Sequence, residues 1–356
     1  MIKDEYFVLG VMSGTSLDGV DLAYVKFERK DTWTYDIILA ETKSYTNFWE
    51  EELRKAINYT DKALIELDKR YTKYLASFIT DFILKYQLNK IDAICSHGHT
   101  ILHQPENKLT LQIGNLPIIA DLIKQKVVCN FRIQDVKLGG QGAPLVPIGD
   151  QLLFSEYDYC LNLGGFSNLS TKMKENRVAY DISPVNIVMN HYVKELGLNY
   201  DDKGKIAASG ALHNELLQEL NKIKFYHENA PKSLGLEWVK QHIYPLIDSF
   251  QLSTPDILRT FVEHVAIQIS SQFEANSKVL ITGGGAYNDF LISRVRRLCD
   301  TEIVIPDNTL LEFKEALIFA FLGVLRLRGE VNVLASVTGA SRDHSSGCIF
   351  NYNNSN

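Results

Sequence analysis

Gly10-Val11-Met12-Ser13-Gly14-Thr15-Ser16-Leu17-Asp18-Gly19-Val20-Asp21 links two strand-like runs, Tyr6 to Val11 and Val20 to Phe27, so its small residues form a hairpin turn. Its glycines open backbone angles closed to other residues, and successive exposed N–H groups in such a turn make a concavity suited to phosphate oxygens. Ser13, Thr15 and Ser16 add hydroxyl donors, and Asp18 is placed to hold a metal-bound water beside a phosphate. A glycine-rich turn without a ligand has the same composition. Recurrence separates the two readings.

The chain repeats the pattern. A third strand, Tyr35 to Lys43, completes the first meander. Much later Cys160 to Leu163 reads as a strand, Gly164-Gly165-Phe166-Ser167-Asn168 as a glycine and serine turn, and Leu169 to Met173 as the strand leaving it. A short loop at Lys174 to Asn176 then returns the chain through Val178, Ala179 and Tyr180 to Asp181. Two such α/β lobes facing each other would put both turns on one central cleft, one at each end of a polyphosphate.

With 356 residues the chain exceeds what one hydrophobic core usually supports, which independently predicts two lobes. We expect a first lobe over 1–125, a second over 126–319, and a C-terminal segment over 320–356 returning to the first. A net charge of -6 gives no global attraction to nucleic acid or to an anionic membrane. The longest apolar run, Ala316 to Leu325, is too short to cross a bilayer, and the N-terminus lacks signal-peptide architecture. The five cysteines contain no CxxC pair, which points to reduced thiols and a cytoplasmic setting.

Candidate ligand residues follow predicted strands. Ser96-His97-Gly98-His99-Thr100 follows the buried-type run Ile91 to Cys95, where polar side chains at a sheet's carboxyl edge meet ligands. Histidines at 97, 99 and 103 also raise a metal site, but the spacing matches neither HExxH nor a finger motif, so His97 is read as a hydrogen-bonding group. Arg132, after the strand Val127 to Phe131, carries a donor fork for a carboxylate or phosphate, or for a surface ion pair with Asp135. Gly139-Gly140-Gln141-Gly142-Ala143-Pro144 marks a crossing between lobes. Ile257 to Phe273 is a helix with an apolar stripe that belongs to the core. Gly283-Gly284-Gly285-Ala286-Tyr287-Asn288 follows the strand Lys278 to Thr282 and opens a helix, letting a nucleoside approach the backbone. No GxxxxGK[ST], no strand-following GxGxxG, no GxSxG and no kinase HRD and DFG set occurs.

VMSGTSLDGVD (Val11 to Asp21), SHGHT (Ser96 to Thr100), TLQIGN (Thr110 to Asn115), GGQGAPLVP (Gly139 to Pro147), NLGGFSN (Asn162 to Asn168) and GGGAYN (Gly283 to Asn288) together resemble the anhydro-N-acetylmuramic acid kinase family. The resemblance runs in order from about residue 8 to about residue 325. It implies the two-lobed actin, Hsp70 and sugar-kinase fold, with an RNase H-like core in each lobe. It also implies use of ATP and Mg2+ to open the 1,6-anhydro ring of an amino sugar hydrolytically while phosphorylating O6, during cell-wall recycling. Asp181 then matches the family's aspartate base, Glu315 a substrate-pocket glutamate, and Arg132 an arginine facing the lactyl carboxylate or the transferred phosphoryl group.

On this reading the phosphate cradle is Gly14, Thr15, Ser16, Leu17, Asp18, Gly19, Val20 and Asp21, faced by Gly164, Gly165 and Asn168. Gly283, Gly284, Gly285 and Asn288 take the nucleoside, Asp18 belongs to the Mg2+ shell, and His97 joins Arg132 and Glu315 at the sugar. A homodimer is compatible with the chain. Asp181 has a competing role as a cap for the helix that follows. This sequence also departs from the family's Asp-Thr-Gly-Pro-Gly-Asn, reading Asp181-Ile182-Ser183-Pro184-Val185-Asn186, and carries His99, Asn130 and Tyr287 where glutamine, aspartate and histidine are usual. Two other functions use the same motifs: a kinase of a free sugar, and a nucleotide-dependent conformational protein without sugar-stimulated turnover.

Overall fold

The first meander forms because each of its strands has a partner to satisfy its backbone. β1 (Glu5–Ser13) pairs antiparallel with β2 (Gly19–Arg29), and β2 with β3 (Trp33–Ser44). On its other edge β1 runs parallel to β4 (Ala93–Gln104), which runs parallel to β6 (Val127–Cys129). The computed structural model describes residues 2–14 and 17–352. Its chain divides into two compact units, residues 1–153 with 313–356, and residues 154–312.

In the first unit the sheet order is β12-β6-β4-β1-β2-β3, where β12 is Cys348–Phe350 and β5 (Leu109–Ile113) pairs with β4. One face of this sheet packs on α1 (Asp61–Lys85), whose Leu64, Leu67, Tyr71, Leu75, Ile79 and Phe82 are buried at helical spacing. Thr60 caps that helix by accepting from the Ala63 N–H. Gly10 lies so close to the helix Asn308–Arg328 that a Cβ there would stand 2.1 Å from the Ala316 carbonyl oxygen.

The second unit repeats the order. β7 (Tyr159–Leu163), β8 (Phe166–Met173) and β9 (Asn176–Pro184) form an antiparallel meander, and β7 runs parallel to β10 (Ser277–Thr282), itself parallel to β11 (Thr301–Val304). The sheet reads β11-β10-β7-β8-β9, so both units place a meander on one side of their first strand and two parallel strands on the other. This is the duplicated RNase H-like arrangement of the actin, Hsp70 and sugar-kinase fold class. The helix Thr254–Ser270, capped by Ser253, supplies Leu258, Phe261, Val262, Val265 and Ile269 to this unit's core.

Two expectations shift. The units divide after Leu153 and not at 125/126, because β6 completes the first sheet against β4 and keeps residues 126–153 with it. The second boundary falls at 312/313, inside the helix Asn308–Arg328 and before Glu315, and β12 pairs with β6 to return the tail to the first sheet. Ser96 to Thr100 lies within β4 and not beyond its end. β1 and β5 both continue to pair with that stretch, around a register shift at Val11/Met12 and a positive φ of 75° at Gly98.

Candidate active site

The turn between β1 and β2 is shorter than the motif that announced it. Gly19, Val20 and Asp21 already belong to β2: Val20 is fully buried in the core, and Thr42 donates to Asp21 Oδ1 at 2.6 Å. Gly19 is fixed by the sheet, since a Cβ would stand 2.4 Å from the Lys43 carbonyl oxygen. These three therefore shape the hairpin, as residues of β2. Thr15 and Ser16 lie outside the described residues. Leu17 takes a positive φ of 64° and its N–H donates to the Gly14 carbonyl, while Asp18 is exposed. Among the described residues no group of three or more His, Cys, Asp or Glu could form a metal cage. Mg2+ bound with a nucleotide is usually held through one carboxylate, waters and phosphate oxygens, and the exposed Asp18 carboxylate fits that donor set.

Ser13, ending β1, anchors the turn from below. Its Oγ lies 2.6 Å from the Tyr45 hydroxyl and 2.7 Å from His99 Nδ1, and it accepts from Tyr71 at 3.2 Å. The two tyrosine hydroxyls are also bonded to each other. Burial pushes the Tyr45 phenol up to about 12 and lowers the His99 imidazole to about 4, so both are neutral at neutral pH. The sequence flagged Ser13 and His99, but the tyrosines, one just past β3 and one in α1, carried no signal of their own.

Arg132, His97 and Glu315 come together in the first unit. Arg132 Nε donates to His97 Nε2 at 2.9 Å and its Nη1 to the Gly142 carbonyl at 2.7 Å, with the guanidinium 5.8 Å from the Phe319 ring. A guanidinium only donates, so His97 keeps its proton on Nδ1, 2.9 Å from the Gly98 carbonyl. Asn115, from the TLQIGN motif, holds the His97 carbonyl at 2.9 Å. Burial and then the Arg132 charge hold His97 well below the usual imidazole range; burial likewise lowers Arg132 to about 10, still charged at neutral pH. Asp135 does not form an ion pair with Arg132. It is fully buried and accepts from the Gly142 N–H and from Thr338 Oγ1, both at 2.7 Å, so it shapes the glycine loop that in turn takes a hydrogen bond from Arg132. Desolvation raises the Glu315 carboxyl, opposed by Arg132 and Lys314.

In the second unit Asp181 sits within β9, opposite Asn168 in β8. Its Oδ1 accepts from the Asn168 amide, and its Oδ2 accepts from the Leu234 N–H at 2.7 Å. Asn162 donates to Asn168 Oδ1 at 3.3 Å, so the Asn168 carboxamide is committed to its neighbours and orients Asp181. Burial raises the Asp181 carboxyl, opposed by the Leu234 N–H and then by Asn168. The helix-cap role is excluded: the helix Asn186–Val193 has Val185 at its N-cap, without a side-chain cap.

The glycines of this unit divide by what surrounds them. At Gly283, with φ 84°, a Cβ would meet Asn162 Oδ1 at 2.5 Å, and at Gly285 it would meet Leu163 Cβ at 2.7 Å; both are required by packing against the end of β7. Gly284 has nothing within 4 Å of its Cβ position, and Gly164 and Gly165 meet nothing nearer than 3.4 Å and 3.8 Å. Those three have ordinary φ or open space and leave their backbone approachable, the property a nucleotide needs. Asn288 does not present its side chain to a ligand. It is buried, caps the helix Asp289–Leu298 by accepting from the Leu291 N–H at 3.0 Å, and contacts Met189 Sδ.

Among the described residues no helix is long and apolar enough to cross a membrane. A family model for anhydro-N-acetylmuramic acid kinase matches residues 6–352. The anhydro-N-acetylmuramic acid kinase of Sulfurimonas denitrificans is 34% identical, over 97% of this chain and 99% of that protein. Those of Pseudomonas syringae pv. syringae and Haemophilus influenzae are 33% and 31% identical, covering 97% and 98% of this chain and 99% and 98% of theirs. By sequence over nearly its whole length, and with a duplicated core, this chain belongs to the anhydro-N-acetylmuramic acid kinase family.

Proposed function

We propose that this phosphotransferase, acting in the cytoplasm during peptidoglycan recycling, uses ATP and water to convert 1,6-anhydro-N-acetylmuramic acid into N-acetylmuramic acid 6-phosphate. The observation that carries the reading is the setting of Asp181: both carboxylate oxygens are held, by Asn168 and by the Leu234 N–H, while burial increases its basicity. The Asp181 carboxylate takes a proton from a water as its oxygen bonds to C1. The C1–O6 bond breaks, and O6 receives the γ-phosphoryl group as ADP leaves.

The other residues bind and orient. Glycines 164, 165 and 284 leave their backbone open to the nucleotide, and the hydroxyl-bearing stretch 14–18 takes its phosphates. Asp18 would hold a magnesium ion, which would supply neutralisation of the phosphate charge. Arg132, braced by His97, Gly142 and Phe319, presents the rest of its fork to the substrate's lactyl carboxylate, and Glu315 accepts from the sugar.

The test is isotopic. Protein, ATP, magnesium and the anhydrosugar are incubated in oxygen-18 water, and the product is weighed by mass spectrometry. One heavy oxygen at C1 of a 6-phosphorylated product, lost with Asp181→Asn, is expected. Phosphorylation of a free sugar alone, with Asp181 activating its hydroxyl, would replace this reading with an ordinary sugar kinase.

A further inference from the structure

The cysteines have no part in the reaction above, and all of them are free thiols, yet two of them meet. β12 runs antiparallel to β6 with Cys348 directly opposite Cys129, Ile349 opposite Val128 and Phe350 opposite Val127. Residues opposed in this way project to the same face of the sheet, with Cα atoms about 4.5 to 5.5 Å apart. That interval lies within the roughly 4.4 to 6.8 Å that a disulfide spans between Cα atoms. The register is pinned just before Cys348, where Arg326 Nε donates to the Gly347 carbonyl at 2.8 Å and Ser346 Oγ donates to the Phe131 carbonyl.

The shared face is the one that packs on α1. Val127 and Cys129 belong to that core, and Phe350, two residues from Cys348 on the same side of β12, packs against it. Cys95 stands on the other face, where a Cβ at Gly323 of the helix Asn308–Arg328 would meet its Sγ at 2.1 Å. Cys160 and Cys299 belong to the second unit. Cys348 is therefore the cysteine placed to bond with Cys129.

The two thiols differ in access. Cys129 is fully buried, its Sγ donating to the Asn115 carbonyl at 3.9 Å, and burial pushes its thiol up. Cys348 is exposed, on the edge strand of the sheet. Reaction with a solute starts at the sulfur that solvent reaches. Opposed Cβ atoms lie about 1 Å further apart than in a disulfide, a gap that a three-residue edge strand closes by a small inward shift.

We propose that Cys348 is a site of thiol–disulfide exchange with a low-molecular-weight disulfide, and that Cys129, across the β6–β12 ladder, resolves the adduct into an internal cross-strand bond. Cys348, its proton lost to solvent, attacks one sulfur of the small disulfide and releases a thiolate, which takes a proton back. The Cys129 sulfur then attacks the Cys348 sulfur, and its proton passes to the second departing thiolate. Two protein thiols are oxidised as one small disulfide is reduced to two thiols. The Cys348 sulfur stays open to reducing thiols, so the bond is a reversible modification and not a structural crosslink. It staples the returning tail to the strand that leads into Arg132, and it removes the S–H donor from Asn115, whose side chain holds the His97 carbonyl.

The test needs no substrate. Native full-length protein is incubated with oxidised glutathione, quenched with acid, alkylated and digested without reductant, and its peptides are mapped by mass spectrometry. A peptide joining Cys129 to Cys348, lost on adding dithiothreitol, is expected. In Cys129→Ser and Cys129→Ala the glutathione adduct should persist on Cys348, and in Cys348→Ser Cys129 should stay unmodified. Wild type that keeps the adduct on Cys348 with Cys129 free overturns the proposal. So does a Cys348 that takes no glutathione, or one that bonds to any other cysteine, a second copy's Cys348 included. A Cys129–Cys348 bond that forms in urea but not in the native protein overturns it too, since the ladder then plays no part. The wild-type map decides the matter by itself if the Cys129 variants do not fold.

Discussion

Arg132 donates its Nε proton to Nε2 of His97 at 2.9 Å, a contact between an arginine and a histidine that holds only while the imidazole is neutral. Burial keeps it so, and the pair acts as one rigid donor edge stacked near Phe319. Arg132→Lys retains the charge but loses the fork and the bond to His97. It should raise the KM for the sugar about 10- to 100-fold, the scale of a charge-assisted hydrogen bond, with the KM for ATP changed little. Steady-state kinetics with each substrate varied in turn checks this, and an unchanged sugar KM would remove Arg132 from the site.

Asp181 links activity to stability through its raised carboxyl. As a base it must be ionised, so the acid limb of kcat/KM should lie above the ordinary aspartate range and disappear with the activity in Asp181→Asn. Loss of a general base costs about 10² to 10⁴ in kcat. The unfolded chain releases this proton at lower pH than the native one, so stability is full below the ordinary aspartate pKa and is lost as pH rises through the raised native value. Asp181→Asn should therefore melt higher than wild type at neutral pH, with the gap closing below the ordinary aspartate range.

The glycines of the second unit should separate under substitution to alanine. Gly283→Ala and Gly285→Ala force a Cβ against Asn162 and Leu163, at 2.5 and 2.7 Å, and should lower Tm by the equivalent of about 1–3 kcal/mol. Gly164→Ala and Gly284→Ala have room within the protein. They should leave Tm within about 0.5 kcal/mol of wild type while raising the KM for ATP. Calorimetry beside ATP titration distinguishes the two pairs.

Glu263 ties two helices of the second unit together. Arg294 grips it with two bonds of 2.7 Å, and Arg259 adds a third at 2.9 Å, all three side chains largely buried. Burial pushes the Glu263 carboxyl up, but Arg294 and Arg259 together outweigh it and hold it below the ordinary value. Its contribution is present above the ordinary glutamate pKa and is lost as pH falls through the lowered native one. Glu263→Ala should cost about 3–5 kcal/mol by leaving the arginines uncompensated, and urea unfolding at neutral pH measures it.

Turn chemistry and hydrophobic spacing are local and survive without knowledge of neighbours, so the residues alone specified the duplicated α/β architecture and the two glycine turns. Asp181, Arg132 and Glu315 became candidates through the family resemblance, which is itself carried by short local motifs. The rest depends on strands distant in the chain lying side by side. β6 against β4 moved the boundary to 153/154, and β1 and β5 against β4 kept His97 and His99 within a strand. Val20 is core because β2 lies between β1 and β3, Asn288 is a helix cap, and Asn168 orients Asp181 across the β8–β9 pair. His99 meets Ser13, Tyr45 and Tyr71, up to 86 residues away from it in sequence. No local pattern encodes such a meeting, because it exists only once burial has removed the water that would otherwise satisfy each of those groups.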